Sequence, residues 1–363
     1  MNKKSSFDRW IFHSYSGTPE GLGILRIIFS SFLLFFLIPG NGIAHFEFIS
    51  SIPADFFNPP PGPLRILGGY PELIVFRFLR LIIILSAVAM MLGFFTKKAS
   101  IAAGISILLL QGAVYSVGKV NHEILIGMVP LLMAFSNWGA AYSVDEFGGQ
   151  VSNREIETWP ITLLSIFLAF MMFTAGFPKI LGGWLDLSTQ ATQGHLMNQY
   201  FENGRQALLA SFVVKTDSTI FWEFLDWATV FFEIGFLFVL WKPQLFKVFI
   251  GLAVLFHFST MVILNIAFLP NFAVYAVFMN WTAIYISLDR FFSRGGNAQK
   301  YIYAVATGIS ILLFGGLKWL SSQNIVLTNS DLTLHEVILV SFALVVVIAI
   351  GSGFLLNRLW QAS

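Results

Sequence analysis

The sequence lacks cysteine entirely and contains few charged residues. None of its 363 residues is Cys, and Asp, Glu, Lys and Arg together contribute only 11%. The absence of thiols excludes disulfide chemistry, iron–sulfur ligation and thiolate zinc sites, so any redox reaction requires a bound cofactor. A formal net charge of +2, with no block of like charges, argues against a nucleic-acid partner.

Apolar residues are abundant instead, at 56% of the chain. A chain of this composition cannot hide its apolar surface in one soluble core, so it is predicted to be a multi-pass membrane protein. Reading apolar stretches of roughly 17 to 25 residues as spanning helices predicts an all-α polytopic bundle of about ten, or eight to ten, transmembrane helices. The stretches lie near 21–38, 73–95, 99–117, 122–142, 159–177, 220–241, 246–268, 271–289, 301–319 and 333–354.

Positive charge predicts the orientation of these helices. With the N-terminus inside, the inner segments hold about twice as many of the 21 Lys and Arg residues as the longer outer segments, as the cytoplasmic excess of positive charge requires. Residues 1–20 are then a cytoplasmic N-terminal segment, 21–290 the membrane domain, and 291–363 a C-terminal pair of hydrophobic helices. The first span ends without a small-residue cleavage site, so it is expected to be retained.

Polar residues on the predicted outer side suggest a site. Asn121 and His122 open one apolar helix, Lys179 ends the next, and His257 lies inside a later one. Ionisable groups are costly in hydrocarbon, so several at related depths favour a functional site. In the alternative, each serves its own helix, with Lys179 extending to the headgroups and the histidines satisfied by neighbours. The sequence leaves open whether these residues meet in space.

Lys179 lies at a predicted break in its helix. Pro178 is expected to end the helix, and Gly182 and Gly183 allow the backbone to turn before Trp184. A lysine held at such a membrane boundary is suited to act as a general base.

Further polar residues accompany this group. Asn265 follows His257 by eight residues, on nearly the same helix face. Glu233 is expected to pair with an arginine or a histidine inside the bundle, whereas Glu223 and Asp226 are expected in water near the outer boundary. The three carboxylates would also suit an ion path, but the sequence shows no internal repeat of the kind found in transporters. The six histidines contain no close helical pair, so no metal site is predicted.

Five short motifs follow one another along the membrane domain. In sequence order they are Met90-Met91-Leu92-Gly93-Phe94 before Lys97, Asn121-His122, Tyr142-Ser143-Val144-Asp145, Ala175-Gly176-Phe177-Pro178-Lys179 with Trp184, and Phe256-His257-Phe258. In this order the set resembles the membrane domain of vitamin K-dependent γ-carboxylase, and the chain is similar to the bacterial relatives of that enzyme, the horizontally transferred transmembrane domain (HTTM) proteins. The resemblance runs from about residue 17 to about residue 290.

The resemblance implies a chemistry for the outer-side residues. In the carboxylases, the lysine matching Lys179 deprotonates vitamin K hydroquinone, and the histidines matching His122 and His257 stabilise the reacting cofactor or substrate. Oxygen then yields an epoxide and a strong base, which removes a γ-proton from a peptide glutamate before the carbanion takes up carbon dioxide. The expected cofactor is therefore reduced vitamin K or menaquinol, with O2 and CO2 as co-substrates. The residues expected to bind the cofactor are Asn121, Trp184, Asn265 and Glu233.

Two departures leave open whether the chain is an enzyme. Pro178 stands where vertebrate carboxylases have a further lysine, and the large lumenal domain that helps to recognise their peptide substrates has no counterpart. The alternative is a non-catalytic or accessory membrane protein for the maturation or export of a secreted peptide. The expected partners are the lipid bilayer, a quinol, and a secreted peptide or accessory protein, and the expected location is the bacterial inner (cytoplasmic) membrane.

Overall fold

The computed structural model describes residues 5–34, 46–60, 63–66, 68–116 and 123–292, and all regular structure in these ranges is helical. The predicted spans at 301–319 and 333–354, together with Asn121 and His122, lie outside the described residues. The α-helices are α1 Ser6–His13, α2 Pro19–Phe32, α3 Phe46–Ser51, α4 Leu73–Leu92, α5 Thr96–Tyr115, α6 Ile124–Met133, α7 Val144–Phe147, α8 Trp159–Leu181, α9 Ala191–Met197, α10 Ala210–Val213, α11 Thr219–Val239, α12 Pro243–Leu264, α13 Leu269–Ala276 and α14 Trp281–Phe292. Short 3-10 turns occur at Ala54–Phe56 and Pro63–Ile66, and a π-helical turn at Asn198–Glu202.

Fewer described helices than predicted are both long and apolar enough to cross a membrane. They are α4, α5, α8 and α12, and α13 with α14 makes a fifth if that pair, bent by 73°, counts as one span. Helix α11 is as long as these helices, but it contains three carboxylate side chains. The predicted span at 122–142 contains only the ten residues of α6, since that helix ends at Met133 and the chain then turns. The predicted span at 271–289 is interrupted before Asn280, whose side chain caps the start of α14.

The described chain divides into two compact units. The first unit comprises the described residues up to Leu164 together with Met279–Phe292, and the second unit comprises Ser165–Phe278. In the first unit α2 packs against α4 and α14, while α5 packs against both α4 and α6. The chain at Ala141 lies close to α2, and this requires glycine at position 23. A Cβ added to Gly23 would lie 2.6 Å from the carbonyl oxygen of Ala141.

A buried arginine holds the first unit together. Arg26 of α2 is fully buried, and its guanidinium donates to backbone carbonyls from two other segments. At the end of α4 the acceptors are Met90 and Met91, the latter at 3.1 Å. After α6 the acceptors are Trp138 at 3.1 Å, Ala141 at 3.4 Å and Tyr142 at 2.5 Å. A cation at a helix C-terminus also complements the helix dipole, so Arg26 satisfies both the hydrogen bonds and the field at that end of α4.

The same end of α4 is joined to α5 by Gly93 and Asp145. Gly93 has φ +71°, and an added Cβ would lie 2.3 Å from Cβ of Ser143, so only glycine fits. Asp145 accepts hydrogen bonds from the backbone N–H groups of Phe95 and Thr96, both at 2.9 Å, and so caps α5. The motifs Met90–Phe94 and Tyr142–Asp145 therefore meet around Arg26 and stabilise the fold of the first unit.

Candidate functional site

Lys179 lies in the last turn of α8, and Pro178 does not end that helix. The helix continues through Pro178 to Leu181, although a proline at this position removes one N–H donor and crowds the carbonyl one turn earlier. Gly183, with φ +79°, ends it: Gly183 N donates to Ile180 O (3.2 Å), and Trp184 N donates to Lys179 O (3.0 Å). This pair of bonds is a Schellman cap. The predicted helix end was therefore wrong by one turn, and the two glycines rather than Pro178 make the break.

Lys179 forms an ion pair with Glu233 of α11. Its Nζ lies 2.5 Å from both carboxylate oxygens, and the side chains are only 21% and 7% exposed. Gly176, one turn earlier in α8, makes this approach feasible, because an added Cβ would lie 2.9 Å from Cβ of Glu233. The expected partner of Glu233, an arginine or a histidine, was wrong; the partner is the lysine that the sequence singled out as a base.

Trp184 covers the ammonium group of Lys179. Lys179 Nζ lies 5.2 Å from the centre of the Trp184 ring, within the range of a cation–π interaction. The Trp184 ring lies 5.5 Å from the ring of His195 in α9. Asp186 lies between Trp184 and His195 along the chain. It accepts hydrogen bonds from the backbone N–H and the hydroxyl of Ser188, and these bonds lower the pKa of Asp186. The Schellman cap thus places an indole face on the lysine.

His257 is buried in α12, inside a polar and aromatic enclosure. Its Nε2 lies 2.8 Å from the hydroxyl of Tyr275 and 3.1 Å from the amide nitrogen of Asn271, both in α13. The Tyr275 ring is stacked on the imidazole at 5.8 Å and 7°, and Phe268 lies closest, at 4.6 Å. Phe256 and Phe272 complete the enclosure at 5.3 and 6.5 Å.

Both groups of residues lie in the second unit. One contains the partly exposed pair of Lys179 and Glu233, and the other contains the buried Tyr275 and His257. Sequence reasoning missed Tyr275 and Asn271, although their spacing of four residues in an otherwise apolar helix places both polar groups on one face.

Asn265 does not lie on the helix face that the sequence predicted. The helix ends at Leu264, and Asn265 follows it with φ +54°, a conformation that asparagine tolerates. Its side chain accepts from Ala207 N at 2.8 Å, and donates to Ala207 O at 3.1 Å and to Met261 O at 3.2 Å. In this structure the Asn265 side chain holds the loop before α10; its role in cofactor binding stays a prediction.

Glu223 and Asp226 are buried, contrary to the expectation that they lie in water. Asp226 accepts from Ala191 N at 2.8 Å and from both Thr192 N and its hydroxyl, at 2.7 and 2.5 Å. Glu223 accepts from the Gln190 amide at 3.1 Å. Glu223 is 8% exposed and Asp226 is 0% exposed. Both are buried because α9 covers them, together with an apolar cluster of Leu196, Ala210, Val213 and Trp222. We call residues 186–214, which carry α9 and α10, the cap.

We expect Asn265→Ala to loosen the cap. The change removes both hydrogen bonds to the partly buried backbone of Ala207, where unpaired groups cost up to about 1–3 kcal/mol. Trypsin should therefore cut faster at Arg205 and Lys215, read by mass spectrometry, and the unfolding temperature should fall. Asn203→Ala, at an exposed position of the cap, is the control. Equal cleavage rates in both variants would contradict this role of Asn265.

The family of the chain is shown by comparison with known proteins. A family model described as the HTTM domain matches residues 17–283. No curated protein and no solved structure matches the chain. The matched range contains every helix from α2 to α13, including those that hold Lys179, Glu233 and His257. With a match over most of its length and several helices apolar enough to cross a bilayer, the chain is a membrane protein and belongs to the HTTM domain family.

Proposed function

We propose that this protein is a membrane enzyme of the γ-carboxylase type, in which Lys179 removes a proton from a quinol. The observation that carries the proposal is the partly exposed ion pair of Lys179 with Glu233 beneath Trp184. In this proposal the chain spans the bacterial inner membrane eight to ten times with its N-terminus in the cytoplasm. The distribution of positive charges and the apolar stretches of sequence at 301–319 and 333–354 support that topology.

The ion pair can act as a base because a proton can move from the ammonium of Lys179 to the carboxylate of Glu233. In a site of low dielectric, an ammonium–carboxylate pair and the neutral amine–carboxylic acid pair lie closer in free energy than they do in water. Transfer of one proton from Lys179 Nζ to Glu233 leaves a free amine. That amine accepts a proton from a hydroxyl placed against it, and the pair ends as an ammonium beside a neutral carboxylic acid. The net change is one proton gained by the pair.

The surroundings of Lys179 fit a lipid-soluble ring compound. Exposed apolar side chains flank the ammonium at the end of α8, with Phe177 45%, Ile180 38% and Leu181 74% exposed. Together with the Trp184 face, they offer contacts for an apolar tail and an aromatic ring around one cation. When bound, the quinol would supply the reaction with oxygen that generates the epoxide and the strong base. O2 and CO2 are the co-substrates, and the acceptor is a glutamate in a secreted peptide.

His257 supplies a fixed hydrogen-bonding group deeper in the second unit. An imidazole held by neighbours can stabilise a developing oxyanion without reorganisation. We expect His257→Ala to lower turnover without removing it, because Lys179 and Glu233 remain. The proposed role of His122 depends on the family resemblance.

The test is the formation of a quinone epoxide. Purified protein in lipid nanodiscs is incubated with reduced vitamin K or menaquinol under oxygen, and the quinones are analysed by mass spectrometry. Loss of a general base typically lowers rates about 10²- to 10⁴-fold, so Lys179→Ala should form almost no epoxide while remaining folded. The control is Lys215→Ala, which changes an exposed lysine just after the cap and should form epoxide at the wild-type rate.

The result that would overturn the proposal is equally clear. If correctly folded wild-type protein forms no epoxide from either quinol, or if Lys179→Ala forms it at the wild-type rate, Lys179 is not the base of such a reaction. Loss of binding to a secreted peptide in Lys179→Ala, without any turnover in the wild type, would instead support an accessory role in peptide maturation or export.

A further inference from the structure

We propose that Tyr275 and Asn271 are positioning residues that hold His257 as the neutral imidazole with its proton on Nδ1. The inference depends on the proposed function only for its catalytic consequence. It concerns three side chains of the second unit, one from α12 and two from α13.

The hydrogen-bond donors around His257 determine which ring nitrogen carries the proton. The amide nitrogen of Asn271 can only donate, and it lies 3.1 Å from Nε2 of His257. The Tyr275 hydroxyl, 2.8 Å from the same atom, is neutral at physiological pH and can donate as well. Two donors at one ring nitrogen require that Nε2 accept. A neutral imidazole that accepts at Nε2 carries its proton on Nδ1.

Helix α13 supplies both of these partners of His257. Both of its polar groups that face this ring, the amide nitrogen of Asn271 and the hydroxyl of Tyr275 on the same helix, lie within hydrogen-bonding distance of Nε2, at 3.1 and 2.8 Å. The two residues are one turn apart in α13, at 6% and 2% exposure, so their geometry is set by the backbone of a single helix. The near-parallel stack of Tyr275 on the imidazole, at 7°, fixes the plane of the ring in addition.

The surroundings of His257 favour a neutral imidazole. In the same unit, the charge of Glu233 of α11 is balanced by its ion pair with Lys179 of α8. The aromatic side chains near the ring include Phe256, Phe268 and Phe272, which carry neither a charge nor a hydrogen-bonding group. With Nε2 accepting hydrogen bonds, the proton of the neutral ring lies on Nδ1. His257 is therefore a hydrogen-bond donor to an oxyanion and not a second general base.

The first measurement reads the tautomer directly and needs no activity. Protein labelled with 15N-histidine is studied by NMR, and the signals of His257 are assigned by their loss in His257→Gln. We expect the wild type to show a protonated Nδ1 and an unprotonated Nε2. In the double variant Tyr275→Phe with Asn271→Leu both donors are gone, and the two tautomers should be mixed. A wild-type His257 that carries a proton on Nε2 would overturn the proposal.

The second measurement tests the catalytic consequence. Misplacing a group that contacts a reacting substrate can lower rates by about 10²-fold, so Tyr275→Phe should lower kcat for epoxide formation about 10- to 100-fold with KM within about twofold of the wild type. Tyr200→Phe, whose hydroxyl contacts Ser211 in the cap, is the matched control and should leave kcat unchanged. An unchanged kcat in Tyr275→Phe would refute the positioning role.

The two measurements separate the failure of this inference from the failure of the proposed function. If wild-type protein forms no epoxide, the proposed function is wrong, while the NMR result still decides whether Tyr275 and Asn271 fix the tautomer. If epoxide forms and the tautomers are mixed already in the wild type, the proposed function stands and this inference is wrong.

Discussion

Replacing Arg26 with leucine is expected to prevent the first unit from folding. The guanidinium hydrogen-bonds backbone carbonyls at the end of α4 and after α6, and leucine fills part of its volume without a single donor. Each buried acceptor left unpaired costs roughly 1–3 kcal/mol. Loss of several at once equals a large part of the 5–15 kcal/mol that typically separates folded from unfolded chains.

The expected result for Arg26→Leu is loss of monodisperse protein in size-exclusion chromatography after detergent extraction. Arg26→Lys should be nearly as damaging, because one ammonium group cannot replace a planar fork that serves carbonyls on two segments. Arg77→Leu is the matched control, since Arg77 is an exposed arginine within the apolar helix α4. If Arg26→Leu and Arg77→Leu gave equal yields and unfolding temperatures, Arg26 would not hold the unit together.

The importance of Arg26 was not visible from the sequence alone. Hydropathy marks it as an ionisable residue at the edge of a span, which is expected to face protein, water or headgroups. Its acceptors lie 64 to 116 residues away along the chain, and three of them, Met90, Met91 and Tyr142, belong to two motifs that were recognised only by their resemblance to a family. Local composition predicted the helical class and most helix positions, because both depend on contiguous apolar residues. Pairing across such distances depends on tertiary packing.

The errors at the site have a similar origin. Glu223 and Asp226 were expected in water because they lie near the end of an apolar stretch, but hydropathy cannot show that α9 covers that end. Asn265 was placed on a helix face because eight residues are slightly more than two turns, yet the helix ends at Leu264 and Asn265 itself has a left-handed conformation. Lys179 is partly buried and His257 is buried, and their proposed catalytic roles stay predictions. Their partners, Glu233 and Tyr275, required the structure.

We expect Glu233→Gln to remove turnover while the protein remains folded. Glutamine keeps the shape of the side chain and an oxygen that accepts from Lys179, but it cannot take up the proton that must leave the ammonium group. If the pair is the base, kcat for epoxide formation should fall at least about 100-fold, as expected for loss of general-base catalysis. The control is Glu223→Gln, a buried carboxylate of the same helix that pairs with Gln190 and not with lysine.

Exchanging the two charges separates the structural role of the pair from its chemical role. Lys179→Ala and Glu233→Ala each leave one charge partly buried, and both should lower the unfolding temperature. The swap of Lys179→Glu with Glu233→Lys restores an ion pair and should recover much of that loss, with an interaction free energy of about 0.5–3 kcal/mol. Turnover should not recover, because the amine would then start from α11, away from the end of α8 and the Trp184 face. A swapped variant that regained wild-type turnover would show that the position of the amine is immaterial, and the assignment of Lys179 as the base would fail.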